Sequence, residues 1–225
     1  MSGPITTIVA DFGGVLSKPL APAFGVVQEH LGLPPEALGA ALGGIEAERG
    51  VHPLHELETG VMTEPAFFGL LAARLGADLG RPVPLEDFSA RYWAALRPNH
   101  ELIEHLRGLR RAGYRMGLLT NNVLEWEPRW RAMVPTDELF DVVVDSARVG
   151  MRKPDPAIYA LTTERLGVPG EEVVFLDDFA SNCGAARAAG WTAVRFEDTT
   201  QTIGELDAVL AERGLPTGVG APGAG

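Results

Sequence analysis

One cysteine, Cys183, occurs in 225 residues, which excludes a disulfide framework within the chain. Long apolar runs are missing as well: Asp, Gly, Pro or Arg interrupts every candidate stretch before the roughly 18 residues that a membrane-spanning helix needs. There is no basic run, and 30 acidic against 19 basic residues leave a net charge of −11, so neither a membrane nor a nucleic-acid backbone is an expected partner. The opening MSGPITTIVADF has neither the basic start nor the apolar stretch of a secretory signal, and with the lone cysteine it gives the expectation of a reducing, cytoplasmic setting. Lysine is the scarcest charge. Only Lys18 and Lys153 occur beside the arginines, so each calls for an explanation.

The length suffices for a substantial core in one or two domains. The 27 glycines and 17 prolines are spread through segments that keep an apolar period, so wholesale disorder is not expected. The exception is PTGVGAPGAG, residues 216–225, which has nothing large to bury and reads as a frayed tail. Ile5–Ala10 reads as a buried strand running into Asp11 and the glycine pair Gly13-Gly14. Residues 17–98 then carry helical pieces punctuated by Pro and Gly, without a convincing strand. Asn99 stands as the expected N-cap of a helix whose Leu102, Ile103, Leu106 and Leu109 share one face. From there strands at Tyr114–Leu119, Phe140–Val144, Val173–Leu176 and Thr192–Phe196 alternate with helices near Leu124, at Pro156–Leu166 and Ser181–Ala189, and around Ile203–Arg213. Such alternation predicts an α/β fold: a doubly wound, Rossmann-like parallel sheet from residues 1–16 and 99–215, with an all-helical insert after the first strand. The hinges fall near Ser17–Pro22 and Arg97–Asn99.

Ligands collect at the carboxyl ends of such strands. There the sequence offers Asp11 with Gly13-Gly14, then Thr120-Asn121-Asn122, Lys153 in GMRKPD, and Asp177-Asp178. These residue types suit phosphoryl transfer, in which a protein positions an oxygen nucleophile and neutralises charge spreading over three phosphate oxygens. Asp11 could attack phosphorus if a cation suppresses the repulsion between the two anions. Magnesium is the expected cation because it prefers carboxylate, carbonyl and water oxygens, with Asp178 as a second ligand. Thr120 and the backbone amide of Asn121 can donate to phosphate, and Lys153 supplies a point positive charge.

In this order and spacing, LLTNN (118–122), VGMRKPDPAIY (149–159) and EEVVFLDDFASN (171–182) resemble the phosphatase branch of the haloacid dehalogenase superfamily. They are especially similar to the N-terminal phosphatase domain of soluble epoxide hydrolases. The resemblance spans Ile5 to about Arg213 and implies a helical cap over the site and an aspartyl-phosphate on Asp11. It also implies magnesium held by Asp11, the Gly13 carbonyl and Asp178, with Asp177 and Asn182 steadying that cluster and Lys153. The substrate it implies is a small phosphorylated molecule, taken by a monomer or homodimer.

The sequence departs from that pattern at Gly13, where the family's phosphatases carry a second aspartate that protonates the leaving oxygen and then activates water. A general acid is worth about 10²–10⁴ in rate, so its absence predicts a weak phosphatase biased toward activated esters, with a phosphoenzyme that accumulates. Two alternatives stand beside it: a phosphate- and magnesium-binding regulator without turnover, and a metal-free dehalogenase, against which Asp177-Asp178 argues. His52 and His55 read as surface or insert-packing residues rather than zinc ligands, with replacement of the missing acid by one of them as the alternative. Trp126 and Trp130 read as packing residues, and Cys183 as a small helix residue.

Overall fold

Five short apolar runs become the strands of one parallel sheet: β1 (Thr7–Ala10), β2 (Arg115–Thr120), β3 (Val142–Asp145), β4 (Val173–Asp177) and β5 (Thr192–Arg195). In this computed structural model, which describes residues 3–215, they lie in the order β3-β2-β1-β4-β5. Side chains alternate across the pleat, so the sheet buries two faces. Ile8, Ala10, Met116 and Leu118 pack on one side in a core that also holds Leu102, Leu106 and Leu206. Val9, Leu119 and Phe175 pack on the other with Ile158, Tyr159 and Leu166.

Between β1 and β2 come five helices, α1 (Leu20–His30), α2 (Ala37–Arg49), α3 (Pro53–Glu58), α4 (Glu64–Leu79) and α5 (Phe88–Ala95), with no strand among the described residues of the insert. The remaining helices cover the sheet: α6 (His100–Arg111), α7 (Glu127–Met133), α8 (Thr136–Leu139), α9 (Ser146–Val149), α10 (Pro156–Leu166), α11 (Ala180–Ala188) and α12 (Thr199–Arg213). The predicted doubly wound sheet with an all-helical insert is therefore the observed architecture. The chain enters and leaves the insert side by side: Ser17 and Pro98 form an antiparallel bridge, Lys18 N–H donates to Arg97 O and Asn99 N–H to Leu16 O, both at 2.8 Å.

Several boundaries differ from the sequence expectation. The helix expected near Leu124 is a 3-10 turn over Leu124–Trp126 followed by α7 and α8, because Pro128 and Pro135 interrupt the backbone hydrogen-bond ladder. The last helix starts at Thr199, four residues earlier than expected, where Asp198 Oδ1 accepts from Gln201 N–H at 2.8 Å and satisfies an otherwise orphaned donor. Asn99 precedes α6 but makes no side-chain cap. Its fully buried amide donates instead to Val15 O at 2.9 Å and meets Thr199 Oγ1 at 3.0 Å. A buried carbonyl without a donor costs more than an uncapped helix end that water can reach. The expected frayed tail, 216–225, lies outside the described residues.

Candidate active site

Because β2 and β3 run to one side of β1 while β4 and β5 lie on the other, the switch point of the sheet falls between β1 and β4. Register aligns the strand ends there, Ala10 lying beside both Leu118 and Leu176. The next residues are Asp11 after β1, Thr120 at the end of β2, and Asp177-Asp178 at the end of β4.

A tight turn over Phe12–Leu16 follows Asp11, and Gly14 sits within it at φ +80°. A Cβ at Gly14 would stand 2.7 Å from Asp178 Oδ2, so only glycine allows both the left-handed backbone and the approach of the second carboxylate. Gly13 has ordinary dihedrals, but a Cβ there would meet the Leu20 side chain at 3.3 Å. The space a side chain at position 13 would enter is thus lined by an apolar residue of α1.

Lys153, 1% exposed, places Nζ 2.9 Å from Asp11 Oδ1 and 2.6 Å from Asp177 Oδ2. Burial opposes its charge, but Asp11 and Asp177 outweigh burial and hold its pKa above the usual lysine range. Asp11 Oδ1 also accepts from Phe12 N–H at 2.7 Å. Burial, then Asp177 and Asp178, push Asp11 up to about 7 against the pull of Lys153. Burial and Asp177 likewise raise Asp178 to about 6. Asp177 is saturated by donors: Lys153, Phe179 N–H at 2.8 Å, and Asn182 Nδ2 at 3.0 and 3.1 Å. Asn121 clasps the lysine's backbone, accepting from Lys153 N–H at 2.8 Å and donating to Lys153 O at 3.0 Å.

Three carboxylates against one ammonium leave an excess of negative charge, which a divalent cation would relieve. Oxygens of Asp11, Asp177 and Asp178 lie within 4.8 Å of one another, hard ligands of the kind magnesium takes. At these strand ends two buried atoms, Asp178 Oδ1 and Thr120 Oγ1, make no hydrogen bond. Such orphans are rare unless a ligand completes them. The donor set therefore fits a magnesium ion at Asp178 and an anion at Thr120. The structure thus brings together Asp11, Thr120, Asn121, Lys153, Asp177, Asp178 and Asn182, while Gly13 contributes only backbone.

Above the cluster a cavity of about 750 Å³ opens between sheet and insert. Phe24, Phe88, Tyr92, Trp93 and Trp126 form much of its wall, with Tyr92 stacked on Trp126 at 5.3 Å. Trp126 is thus a cavity residue as well as a packing one, its Nε1 held 2.7 Å from Glu64 Oε1; Trp130 is fully buried. The half-buried His52 and the exposed His55 line the cavity too, with rings 4.9 Å apart. Cys183 is buried beside Asp177 O, and burial pushes its thiol up to about 11, as suits an inert packing residue.

Two cavity residues escaped the sequence reading. Glu58, at the end of α3, accepts from Arg152 Nε at 2.7 Å, an ion pair between insert and core. Arg152 stood in plain view beside Lys153 in GMRKPD. Glu58 had no signal, because a Glu ending a short helix looks like surface.

The family model described as haloacid dehalogenase-like hydrolase matches residues 5–190. A bifunctional epoxide hydrolase of Mus musculus is 30% identical over 211 residues, an overlap of 88% of this chain and 38% of the mouse protein; the chain thus spans well under half of that relative. A phosphatase of Mycobacterium tuberculosis is 32% identical over 202 residues, covering 88% of this chain and 90% of its own. Among solved structures, a HAD family enzyme of Bacteroides thetaiotaomicron with magnesium and inorganic phosphate superposes with a TM-score of 0.62 at 22% identity, covering 85% of this chain and 93% of that one.

Proposed function

The chain belongs to the haloacid dehalogenase-like hydrolases, and from that premise we propose that it is a magnesium-dependent phosphatase of monoesters with an apolar organic part, working through an aspartyl-phosphate on Asp11. The observation that carries the reading is the junction of a lysine-paired Asp11 with two buried, unpartnered atoms, Thr120 Oγ1 and Asp178 Oδ1. That set can hold a phosphoryl group and a cation beside one nucleophile.

Asp11, the Gly13 carbonyl and Asp178 would hold magnesium, which when bound neutralises phosphate charge so that a carboxylate can approach phosphorus. The chain's own groups do the rest. A carboxylate oxygen of Asp11 attacks phosphorus while the ester oxygen departs in line. Lys153 balances the charge of Asp11 and of the phosphate oxygens. Thr120 Oγ1 and Asn121 N–H donate to those oxygens. Asp177 and Asn182 fix Lys153 Nζ so that it cannot follow the phosphate away, and the Asn121 side chain fixes its backbone. The insert acts as a cap whose aromatic wall receives the organic group and limits the access of bulk water to the site. Small-molecule substrates of this kind need no further protein partner.

The test is phosphate release from aryl and long-chain alkyl phosphates with magnesium and with chelator. Expected are turnover with magnesium, loss on chelation, a covalent mass gain of one phosphoryl group in rapid-quench samples, and loss of both in Asp11→Asn. Chelator-insensitive release of halide from a haloacid would replace this reading with dehalogenation. The empty side chain at Gly13 supports a second reading, a phosphate- and magnesium-binding regulator. Magnesium-dependent phosphate binding without release from any ester would favour it.

A further inference from the structure

Phosphoryl transfer to Asp11 leaves one proton without a carrier. The ester oxygen must gain it on departure and the attacking water must lose one later, yet position 13 has no side chain and Leu20 lines the space where one would stand. Among the residues lining the cavity only Asp11 and Glu58 carry carboxyls. Glu58 comes from the insert, the side from which the organic group of an ester must enter. Its side chain is 14% exposed, Oε2 is held by Arg152 Nε at 2.7 Å, and Oε1 has no hydrogen bond from any described residue. Arg152 adjoins Lys153, whose Nζ is 2.9 Å from Asp11 Oδ1, so the insert carboxyl is tethered one residue from the nucleophile's own cation.

We infer that Glu58 is the general acid and base of this site, taking the place of the side chain missing at position 13. In the first step Asp11 bonds to phosphorus, the bond from phosphorus to the ester oxygen breaks, and the Glu58 proton passes to that oxygen to give the alcohol. In the second, the Glu58 carboxylate takes a proton from water as the water oxygen bonds to phosphorus. The bond to Asp11 then breaks, inorganic phosphate leaves, and Glu58 is again protonated. Burial raises the Glu58 carboxyl above its usual range despite the opposing pull of Arg152, Lys153 and His52, which favours a proton-carrying form. The two histidines fit the role less well. His52 Nδ1 is occupied as acceptor from Leu54 N–H at 3.2 Å, and burial, Arg152 and His52 lower the His55 pKa, which disfavours the proton-carrying form that an acid needs.

This inference rests on the phosphatase reading, and its test separates the two. The leaving alcohol freed in the first turnover, before the phosphoenzyme is hydrolysed, is measured with magnesium over a series of aryl to alkyl monoesters of rising leaving-group pKa, for the full chain and for Glu58→Gln and Glu58→Asp. A leaving oxygen that departs unprotonated needs no acid, so in this step Glu58→Gln should lose less than about 10-fold on nitrophenyl phosphate and about 10²–10³-fold on alkyl phosphates, while hydrolysis of the phosphoenzyme, which needs the base, should slow alike for all esters. Glu58→Asp should recover part of the alkyl activity. A structural role for the Arg152 pair would lower the first step alike for all substrates. A Glu58→Gln loss in that step that is equal across the series, or no loss, overturns the assignment while the wild-type turnover keeps the phosphatase reading. A wild type inert on every ester overturns both.

Discussion

At Gly14 two constraints meet on one residue: a φ of +80° and a carboxylate oxygen 2.7 Å from where a Cβ would sit. Gly14→Ala should therefore cost about 1–2 kcal/mol in stability from the left-handed backbone alone. It should also weaken magnesium binding more than a purely structural defect would, since Asp178 must move. Thermal melts without metal read the first effect and calorimetric titration with magnesium reads the second; unchanged affinity would show that Asp178 is not a ligand. Gly13 is the contrasting case, with ordinary dihedrals and a soft neighbour in Leu20. Gly13→Asp added to Glu58→Gln should restore alkyl phosphate turnover by about 10-fold or more, within the range of a general acid. The same substitution in the wild type should give a smaller gain. Asp11, Thr120 and Asp178 were legible in the sequence because each stands at the end of a strand signal, and Lys153 because lysine is so scarce in the chain. Glu58 was not, because its place depends on how α3 meets the core, which no spacing records. Asn99 looked like a cap by residue type, but its amide turned to the buried Val15 carbonyl.

Elements were legible where local chemistry and long-range packing agree. The helix α10 has the expected bounds, Asp155 capping Ala157 N–H at 2.9 Å before Pro156 and Gly167 closing it at φ +66°. The stretch after Leu124 was less legible, since its apolar pattern continues through prolines that break the helix. The short α9 shows a different conflict. Asp145 caps it through Oδ1, 3.0 Å from Ala147 N–H, while Oδ2 is buried without a partner. Burial pushes this carboxyl up to about 6 from 3.8, outweighing the hydrogen bond from Ala147. Its folded pKa lies above its unfolded one, so its contribution to stability is full below about pH 4 and is lost as pH rises through about 6. Asp145→Asn keeps the capping oxygen and removes the charge. It should stabilise the fold by roughly 1–3 kcal/mol at pH 8, several degrees in melting temperature for a chain of this size, with the gain vanishing near pH 4. A gain independent of pH would assign the effect to hydrogen bonding instead. The same α9 carries the insert, for Gly60, at φ +70° just after α3, would place a Cβ 2.6 Å from Ala147 O. Gly60→Ala should lift the end of α3 that bears Glu58, and so lower turnover of alkyl esters more than of aryl ones.

Across the whole molecule, the net charge of −11 is borne mostly by a solvated surface, but its costly part is the buried cluster of Asp11, Asp177 and Asp178 around one lysine. Burial and mutual repulsion raise Asp11 and Asp178 to about 7 and 6, so at neutral pH ionising these two carboxyls costs stability, offset in part by Lys153, whose charge the same cluster favours. Natural sites commonly trade stability for function in this way. A ligand that binds only the folded state returns that stability by mass action, about 2.7 kcal/mol at a concentration 100-fold above its dissociation constant. Magnesium should thus raise the wild-type melting temperature by roughly 5–10 °C at such a concentration. Asp178→Asn removes one of the three like charges and one ligand at once. In chelator it should melt at or above the wild type, and with magnesium well below it, so the order of the two proteins reverses between the conditions. A variant that melts lower in both would mean that the carboxylate stabilises the fold without any cation, leaving the electrostatic excess at the sheet's switch point to be balanced by protein groups alone.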